Sequence, residues 1–103
     1  MQEQKANGTK PLLVFFTSPQ SGPARRMDST LAHLARKERH RVRLTRVDVE
    51  EHPALAERFE VEDVPTLVLV RGRHVLERLE GRVSVPRIEE MLDAHLGEPL
   101  VAA

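Results

Sequence analysis

Apolar residues along the chain form continuous runs in some places and helical spacing in others, and this pattern predicts the secondary structure. Leu12–Phe16 is an unbroken apolar run, which is typical of a strand buried on both faces of a sheet. A helix is predicted next, from about Gly22 to Glu38, and Pro23 suits its first turn. The apolar face of that helix consists of Met27, Leu31, Leu34 and Ala35.

The middle of the chain changes to an alternating pattern. Residues 41–50 alternate between polar and apolar types, which predicts a second strand. The apolar positions change face near Thr45, and this change indicates a β-bulge or an edge irregularity there. Pro53 then begins a short helix that carries Leu55, Ala56 and Phe59.

The last third predicts a hairpin followed by a helix. Residues 64–70 and 74–80 form two strands, joined by a tight turn at Gly72. Gly81 ends the hairpin, and Ser84 is the expected N-cap of the last helix. The apolar face of that helix consists of Ile88, Met91, Leu92 and Leu96.

The predicted element order is β-α-β-α-β-β-α, which defines an α/β fold with a four-stranded mixed sheet and three helices. Its first half is a βαβ unit, and such units are parallel and right-handed. The length of 103 residues suits one domain. We expect that domain over residues 10–97, with a flexible N-terminal tail over 1–9 and a C-terminal tail over 98–103.

Composition narrows the classes of partner and chemistry. The chain has 16 basic and 16 acidic residues and three aromatic residues, all Phe, so neither nucleic acid nor an anionic membrane is expected as its partner. It has no cysteine, which excludes disulfides and thiolate nucleophiles. Its histidines lack the spacing of metal ligands, so no metal or cofactor is expected. With no apolar stretch of the roughly 20 residues that a membrane span requires and no secretory signal, a cytoplasmic location is expected.

The segment between the first strand and the first helix, "TSPQSGPARRM" at 17–27, is where α/β proteins place their ligands. It contains no Cys, His, Asp, Glu or Lys. Ser21 is expected to cap the helix, and a hydroxyl that binds an anion or a thiolate is the alternative. Arg25 and Arg26 could bind phosphate at the helix N-terminus, although paired arginines on a helix are more often solvated.

Several motifs together resemble those of the thioredoxin family. The strand "LLVFF" is followed by S-G-P-A at 21–24, where the family has C-G-P-C, and V-P-T at 64–66 matches the family's cis-proline loop. The resemblance covers about residues 11–96 and implies a thioredoxin-like fold. Thioredoxins usually begin with a further strand and helix, but only ten residues precede Pro11, so the minimal four-stranded form is expected.

The residues of the family's redox chemistry align with other residue types in this chain. The two cysteines align with Ser21 and Ala24, and the buried acid that assists proton transfer aligns with Phe15. The tryptophans and the nearby lysine align with Thr17, Gln20 and Arg46. The resemblance therefore implies a redox-inactive relative with no catalytic residue.

The resemblance also implies that this chain retains the family's peptide-binding surface. In thioredoxins the bond before the residue matching Pro65 is cis, and the exposed backbone of the preceding residue, Val64, pairs with extended peptides. The expected function is therefore binding of a protein or peptide, although the bend could serve only to shape the third strand. The expected site comprises Gln20, Ser21, Gly22, Pro23, Val64, Pro65, Gly81 and Arg82.

Two other functions stay open at this point. One is a thiol–disulfide oxidoreductase by homology only, which cannot perform the reaction without cysteine. The other is a small-ligand protein that binds glutathione-like molecules through the Ser21 hydroxyl, as some glutathione transferases do on the same fold.

Overall fold

The structure of the protein is a computed structural model that describes residues 10–97. The predicted tails, 1–9 and 98–103, lie outside the described residues. The elements are β1 (Leu12–Thr17), α1 (Gly22–Lys37), β2 (Arg43–Asp48), α2 (Pro53–Arg58), β3 (Thr66–Arg71), β4 (His74–Glu80) and α3 (Val85–Leu96). Their order confirms the predicted β-α-β-α-β-β-α arrangement.

The four strands form one mixed sheet in the order β2-β1-β3-β4. The pair β1 and β2 is parallel, as the βαβ unit requires. The pairs β1–β3 and β3–β4 are antiparallel. Because β1 lies inside the sheet and helices pack on both sides of it, both of its faces are buried, which explains its unbroken apolar run.

Helices cover the sheet on both faces and create two cores. The first, which we call the α1/α3 core, contains Leu13, Phe15, Leu67 and Leu69 from the strands and Leu31, Ile88, Met91 and Leu92 from the helices. The second, the α2 core, contains Val14, Phe16, Val47, Val68 and Val70, packed against Leu55 and Phe59. The short helix α2 thus covers its side of the sheet with few side chains.

The predicted bulge near Thr45 is wrong. The register between β1 and β2 continues without a break from Arg43 to Asp48. Leu44 packs against the α1/α3 core, whereas Val47 belongs to the α2 core. The apolar positions therefore change face because both faces of the sheet are covered. The irregularity lies instead between β3 and β4, where the register shifts at Leu69 and Val70 and leaves Leu76 as the extra residue.

The C-terminus of α1 contains a buried ion pair that the apolar pattern does not indicate. Glu38, the predicted end of the first helix, has a side chain only 5% exposed and accepts a 2.7 Å hydrogen bond from Arg41 Nε. The same guanidinium bonds to Asp93 Oδ1 at 2.9 Å and to the Gly97 carbonyl at 2.6 Å. Arg41 therefore connects the ends of α1 and α3.

Candidate functional site

Ser21 caps α1, as predicted. Its backbone is extended, and its hydroxyl oxygen accepts a 3.1 Å hydrogen bond from the Ala24 N–H. Pro23 lies in the first turn, where a missing N–H costs nothing. The Ser21 N–H donates to the Ser18 carbonyl at 3.0 Å. The hydroxyl of Ser21 is thus already used within the fold.

Ser18 and Glu50 hold the loop before α1 in place, and sequence reasoning did not find either role. The Ser18 hydroxyl donates to Glu50 Oε2 at 2.8 Å and accepts from the Gln20 N–H at 3.1 Å. The Glu50 N–H in turn donates to Asp48 Oδ1. His52, the N-cap of α2, makes no side-chain cap bond.

The positions that align with the family's proton-transfer groups have other surroundings here. Phe15, which aligns with the family's buried acid, is fully buried in the α1/α3 core. Arg46 lies on the surface, where its Nε donates to Asp28 Oδ1 of α1 at 2.9 Å. The Phe15 side chain is a hydrocarbon and cannot take up a proton.

The second half of the expected site lies at the start of β3. The Val64–Pro65 bond is cis, the isomer that the resemblance implies. The Gly81 N–H donates to the Pro65 carbonyl at 2.8 Å, which fixes the end of β4 beside this loop. Within residues 10–97, neither backbone group of Val64 forms a hydrogen bond. Val64 is half-buried and Pro65 is buried, so Val64 provides the accessible part.

The sheet brings both halves to one end of the molecule. Phe16, near the end of β1, lies opposite Thr66 at the start of β3. The loops that follow β1 and precede β3 therefore leave the sheet at the same edge. Gly81 and the exposed Arg82 follow β4 at that edge as well. No hydrogen bond among the described residues joins the 20–23 loop to Val64 directly.

Charges of both signs surround the loop before α1. The Arg26 guanidinium folds back toward Gly22, 3.5 Å from the point where a Cβ atom would lie. Beside the loop is a cavity of about 360 Å³ whose lining includes Ser18, Arg25, Arg46, Asp48 and His52. With positive and negative groups mixed in this way, neither the helix N-terminus nor the cavity favours an anion alone.

The part of the chain that the structure describes contains neither a membrane-spanning helix nor a cluster of metal ligands. No helix within residues 10–97 is long and apolar enough to cross a membrane. The same residues contain no group of three or more His, Asp or Glu side chains that could hold a metal ion.

Comparison with known proteins identifies the family. The model of the family described as Thioredoxin matches residues 2–94. This chain belongs to the thioredoxin family. It is 31% identical over 98 residues to a thioredoxin of Alicyclobacillus acidocaldarius, a match that covers 95% of this chain and 90% of the relative. It is also 30% identical over 95 residues to a thioredoxin-like protein of Synechocystis, covering 91% and 87% of the two chains.

Solved structures show the same fold for this thioredoxin-family chain. The germline-specific thioredoxin Deadhead of Drosophila melanogaster superposes with a TM-score of 0.79 at 27% identity, covering 89% of this chain and 87% of that one. A malarial protein superposes with a TM-score of 0.77 at 22% identity, covering 84% and 98% of the two chains. The thioredoxin-like fold is therefore shown, while the chain itself contains no cysteine.

Proposed function

We propose that this protein is a redox-inactive member of the thioredoxin family that binds an extended segment of a partner protein without forming a covalent bond. The proposed surface consists of the residues predicted from the sequence: Gln20, Ser21, Gly22, Pro23, Val64, Pro65, Gly81 and Arg82. The cytoplasm is the proposed location, which fractionation of the native cells would test.

The observation that supports this proposal is the free backbone of Val64. Its N–H and C=O form no hydrogen bond within the described residues, and partly buried backbone groups need a partner, whether water or protein. An extended peptide can supply both partners by adding as a strand at this edge. Gly81 has no side chain and has open space where a Cβ would project, so a partner backbone can approach closely there.

The chemistry of the loop before α1 supports a noncovalent contact. Every thiol–disulfide exchange begins with attack by a thiolate, and this chain has no thiol. An oxidoreductase is therefore a weaker proposal than a binding protein. The glutathione-like alternative gains no support either, because the Ser21 hydroxyl already caps α1 by accepting from the Ala24 N–H.

The test is a peptide selected from a random library against the full chain and titrated into the isotope-labelled protein. We expect amide shifts at Gln20, Gly22, Val64 and Gly81, with micromolar affinity because the patch is small. Strand addition also predicts a register. Methylating one backbone nitrogen of the peptide abolishes binding if that N–H faces the Val64 carbonyl, while methylating the next nitrogen has little effect.

Two results would contradict this proposal. One is a set of shifts confined to places away from the proposed surface, around Glu57 and Arg58 of α2 or along α3. The other is equal tolerance of methylation at successive peptide nitrogens, which would exclude backbone pairing. Arg82 belongs to the proposed surface, so Arg82→Glu should alter the affinity for the peptide. Arg58 lies outside that surface, so the matched control Arg58→Glu should leave this affinity unchanged.

A further inference from the structure

A groove follows β4 on the α2 side of the sheet, and we call it the β4 groove. Val75 and Arg78 lie opposite Val70 and Val68 in the register of β3 and β4. Both of these β3 valines belong to the α2 core. Since residues directly opposite each other share a face, β4 presents Val75, Arg78 and Glu80 on the α2 side.

The helix on that side is too short to cover β4. It has six residues and ends at Arg58, and among the described residues those that follow it are hydrogen-bonded to β4 only through the Arg78 side chain. Two adjoining cavities of about 740 and 590 Å³ remain between the end of α2 and β4, and Glu60 and Arg78 line both. Within residues 10–97, Val75 is the one large hydrophobic residue that is exposed, at 50%. This part of the sheet face therefore has no cover within residues 10–97.

Charge is segregated along the β4 groove. Near the β3–β4 turn its lining includes Arg58 and Arg73, with Glu60 as the one acidic residue there. Near the start of β3 its lining includes Glu62, Asp63 and Glu80. A ligand that spans the groove therefore meets positive charge at one end and negative charge at the other.

The arginine in the middle of the groove already has partners. The Arg78 guanidinium donates to the carbonyls of Phe59 and Glu60, at 2.8 and 3.0 Å. It also lies 3.2 Å from Glu80 Oε2. Arg78 thus fixes the wall of the groove and is paired with Glu80. Within the described residues, the charges without an ion pair are Arg58 and Arg73 at one end, Glu62 and Asp63 at the other, and Glu60 between them.

We propose that the β4 groove binds an amphipathic helix of a partner protein. The acidic end of that helix lies against Arg58 and Arg73, and its basic end lies against Glu62, Asp63 and Glu80. Helices are the usual cover of a sheet face in α/β proteins. The seven residues of β4 span about 23 Å, the length of a helix of about 15 residues. This surface is separate from the peptide surface proposed above, apart from Gly81 at its end.

A second copy of this chain fits the β4 groove less well than a helix does. Opposite charges would meet only if the two grooves ran antiparallel about a two-fold axis that crosses them. The same axis would place groove over groove and α2 over α2. The facing concave surfaces would leave unfilled space between them, which well-packed interfaces avoid.

The test uses two synthetic helical peptides of about 15 residues with identical composition. Both carry a stripe of Leu, but one has all Glu in one half and all Lys in the other, while the second interleaves the charges. In titrations of the labelled full chain, we expect the segregated peptide to bind at least about tenfold more tightly and to shift the Val75 methyl resonances. Arg58→Glu combined with Arg73→Glu should weaken that binding about tenfold.

The control is Arg25→Glu combined with Arg26→Glu, which makes the same charge change on α1 and should leave the affinity for the segregated peptide unchanged. All four arginines are exposed, so neither variant is expected to unfold. Equal affinity for the two peptides, or shifts confined to the 20–23 loop, would overturn the proposal. Magnetisation transfer between Met1 and Val75 in the free chain would assign the groove to the N-terminal segment of this chain. Dimerisation that the Arg58 and Arg73 changes abolish would assign it to a second copy. Either result would also overturn the proposal.

Discussion

The Ser18 hydroxyl donates a 2.8 Å hydrogen bond to Glu50 Oε2 and so connects the loop before α1 to the loop before α2. The same oxygen accepts from the Gln20 N–H at 3.1 Å. Ser18 is only 5% exposed, so water cannot readily replace these partners. A buried residue outside the proposed binding surface therefore determines the position of Gln20 within it.

Replacing Ser18 with Ala removes both hydrogen bonds and leaves the Gln20 N–H without its acceptor. A bond to a charged group contributes about 1.5–3 kcal/mol, but Glu50 can turn to water, so we expect a loss of about 1–2 kcal/mol in the free energy of unfolding. Urea titration measures this loss, and the Gln20 amide resonance should shift. Ser29→Ala, on the exposed face of α1, is the control and should change stability by less than about 0.5 kcal/mol.

The Ser18 bond also shows where prediction from the sequence ends. The Ser21 cap was predictable because its partner, the Ala24 N–H, is three residues away and the pattern is local. Glu50 is 32 residues from Ser18, and nothing in either segment indicates the other. The register of β1 with β2 decides that they meet.

The burial of a charged side chain could not be predicted from the sequence either, whereas the order of the helices and strands could. The order follows from apolar periodicity, which each segment carries by itself. In the sequence Glu38 is an ordinary polar position at the end of α1, yet its side chain is buried against Arg41, which also pairs with Asp93 of α3. The prediction of a bulge at Thr45 was wrong for a related reason, because periodicity alone does not show that both faces of the sheet are covered.

Arg41→Met should destabilise the protein strongly. The change leaves the Glu38 carboxylate buried without its partner, and removing one member of a buried pair costs about 3–5 kcal/mol. Urea unfolding measures the loss. Hydrogen exchange should also accelerate at the end of α3, because the Gly97 carbonyl and Asp93 lose their donor.

A double variant separates the two causes of that loss. Arg41→Met combined with Glu38→Leu also removes the buried carboxylate that Arg41→Met leaves without a partner, and it should recover at least half of the lost stability. The exposed pair between Lys37 and Glu89, 3.0 Å apart, supplies the control, and Lys37→Met should cost less than about 1 kcal/mol. If Arg41→Met cost no more than Lys37→Met, the buried pair would have no special role.

Glu60 has a left-handed backbone, with φ at 57°. It follows α2 in a Schellman arrangement, because the Glu60 N–H bonds to the Glu57 carbonyl and the Val61 N–H bonds to the Ala56 carbonyl. Glycine adopts this conformation without strain, so Glu60→Gly should raise the free energy of unfolding by about 0.5–1 kcal/mol. Glu57→Gly, inside α2, is the control and should lower it by a similar amount. A loss of stability in Glu60→Gly would contradict the prediction.

Acid should weaken the contact between β4 and α3. Glu77 Oε1 accepts from His95 Nε2 at 2.8 Å, and Glu77 Oε2 accepts from Arg87 at 3.0 Å. These bonds, that of His95 first, lower the pKa of Glu77 below its ordinary value of 4.5. A carboxylate whose pKa is lowered by folding stabilises the native state above the unfolded pKa, and this contribution is lost as pH falls through the folded pKa.

The corresponding measurement is urea unfolding of the wild type and of Glu77→Gln between about pH 6 and pH 3. The wild type should be the more stable at the upper end, and the difference should shrink as the pH falls. A difference that stayed constant across this range would show that ionisation of Glu77 does not contribute. Glu90→Gln, whose partner Arg87 is 3.4 Å away and whose side chain is 73% exposed, should behave like the wild type.

Installing the missing cysteines tests how much redox function the remaining fold can support. Ser21→Cys with Ala24→Cys places thiols at the start and in the first turn of α1, next to Gly22 and Pro23. We expect a disulfide to form between the two positions, and mass spectrometry after oxidation would detect it. The helix N-terminus should favour the thiolate at position 21.

Reduction of insulin by this double variant should nevertheless be slow. The second thiol must lose its proton within the buried α1/α3 core, where Ala24 is fully buried. Phe15, also fully buried, cannot accept that proton, and a positioned acid or base contributes about 10²–10⁴-fold to such steps. We therefore expect a rate about 100-fold below that of an ordinary thioredoxin, with partial recovery when Phe15→Asp is added. A double variant as fast as an ordinary thioredoxin would show that the residue at position 15 does not limit the chemistry. In that case the loss of the two cysteines alone would account for the redox inactivity that we propose.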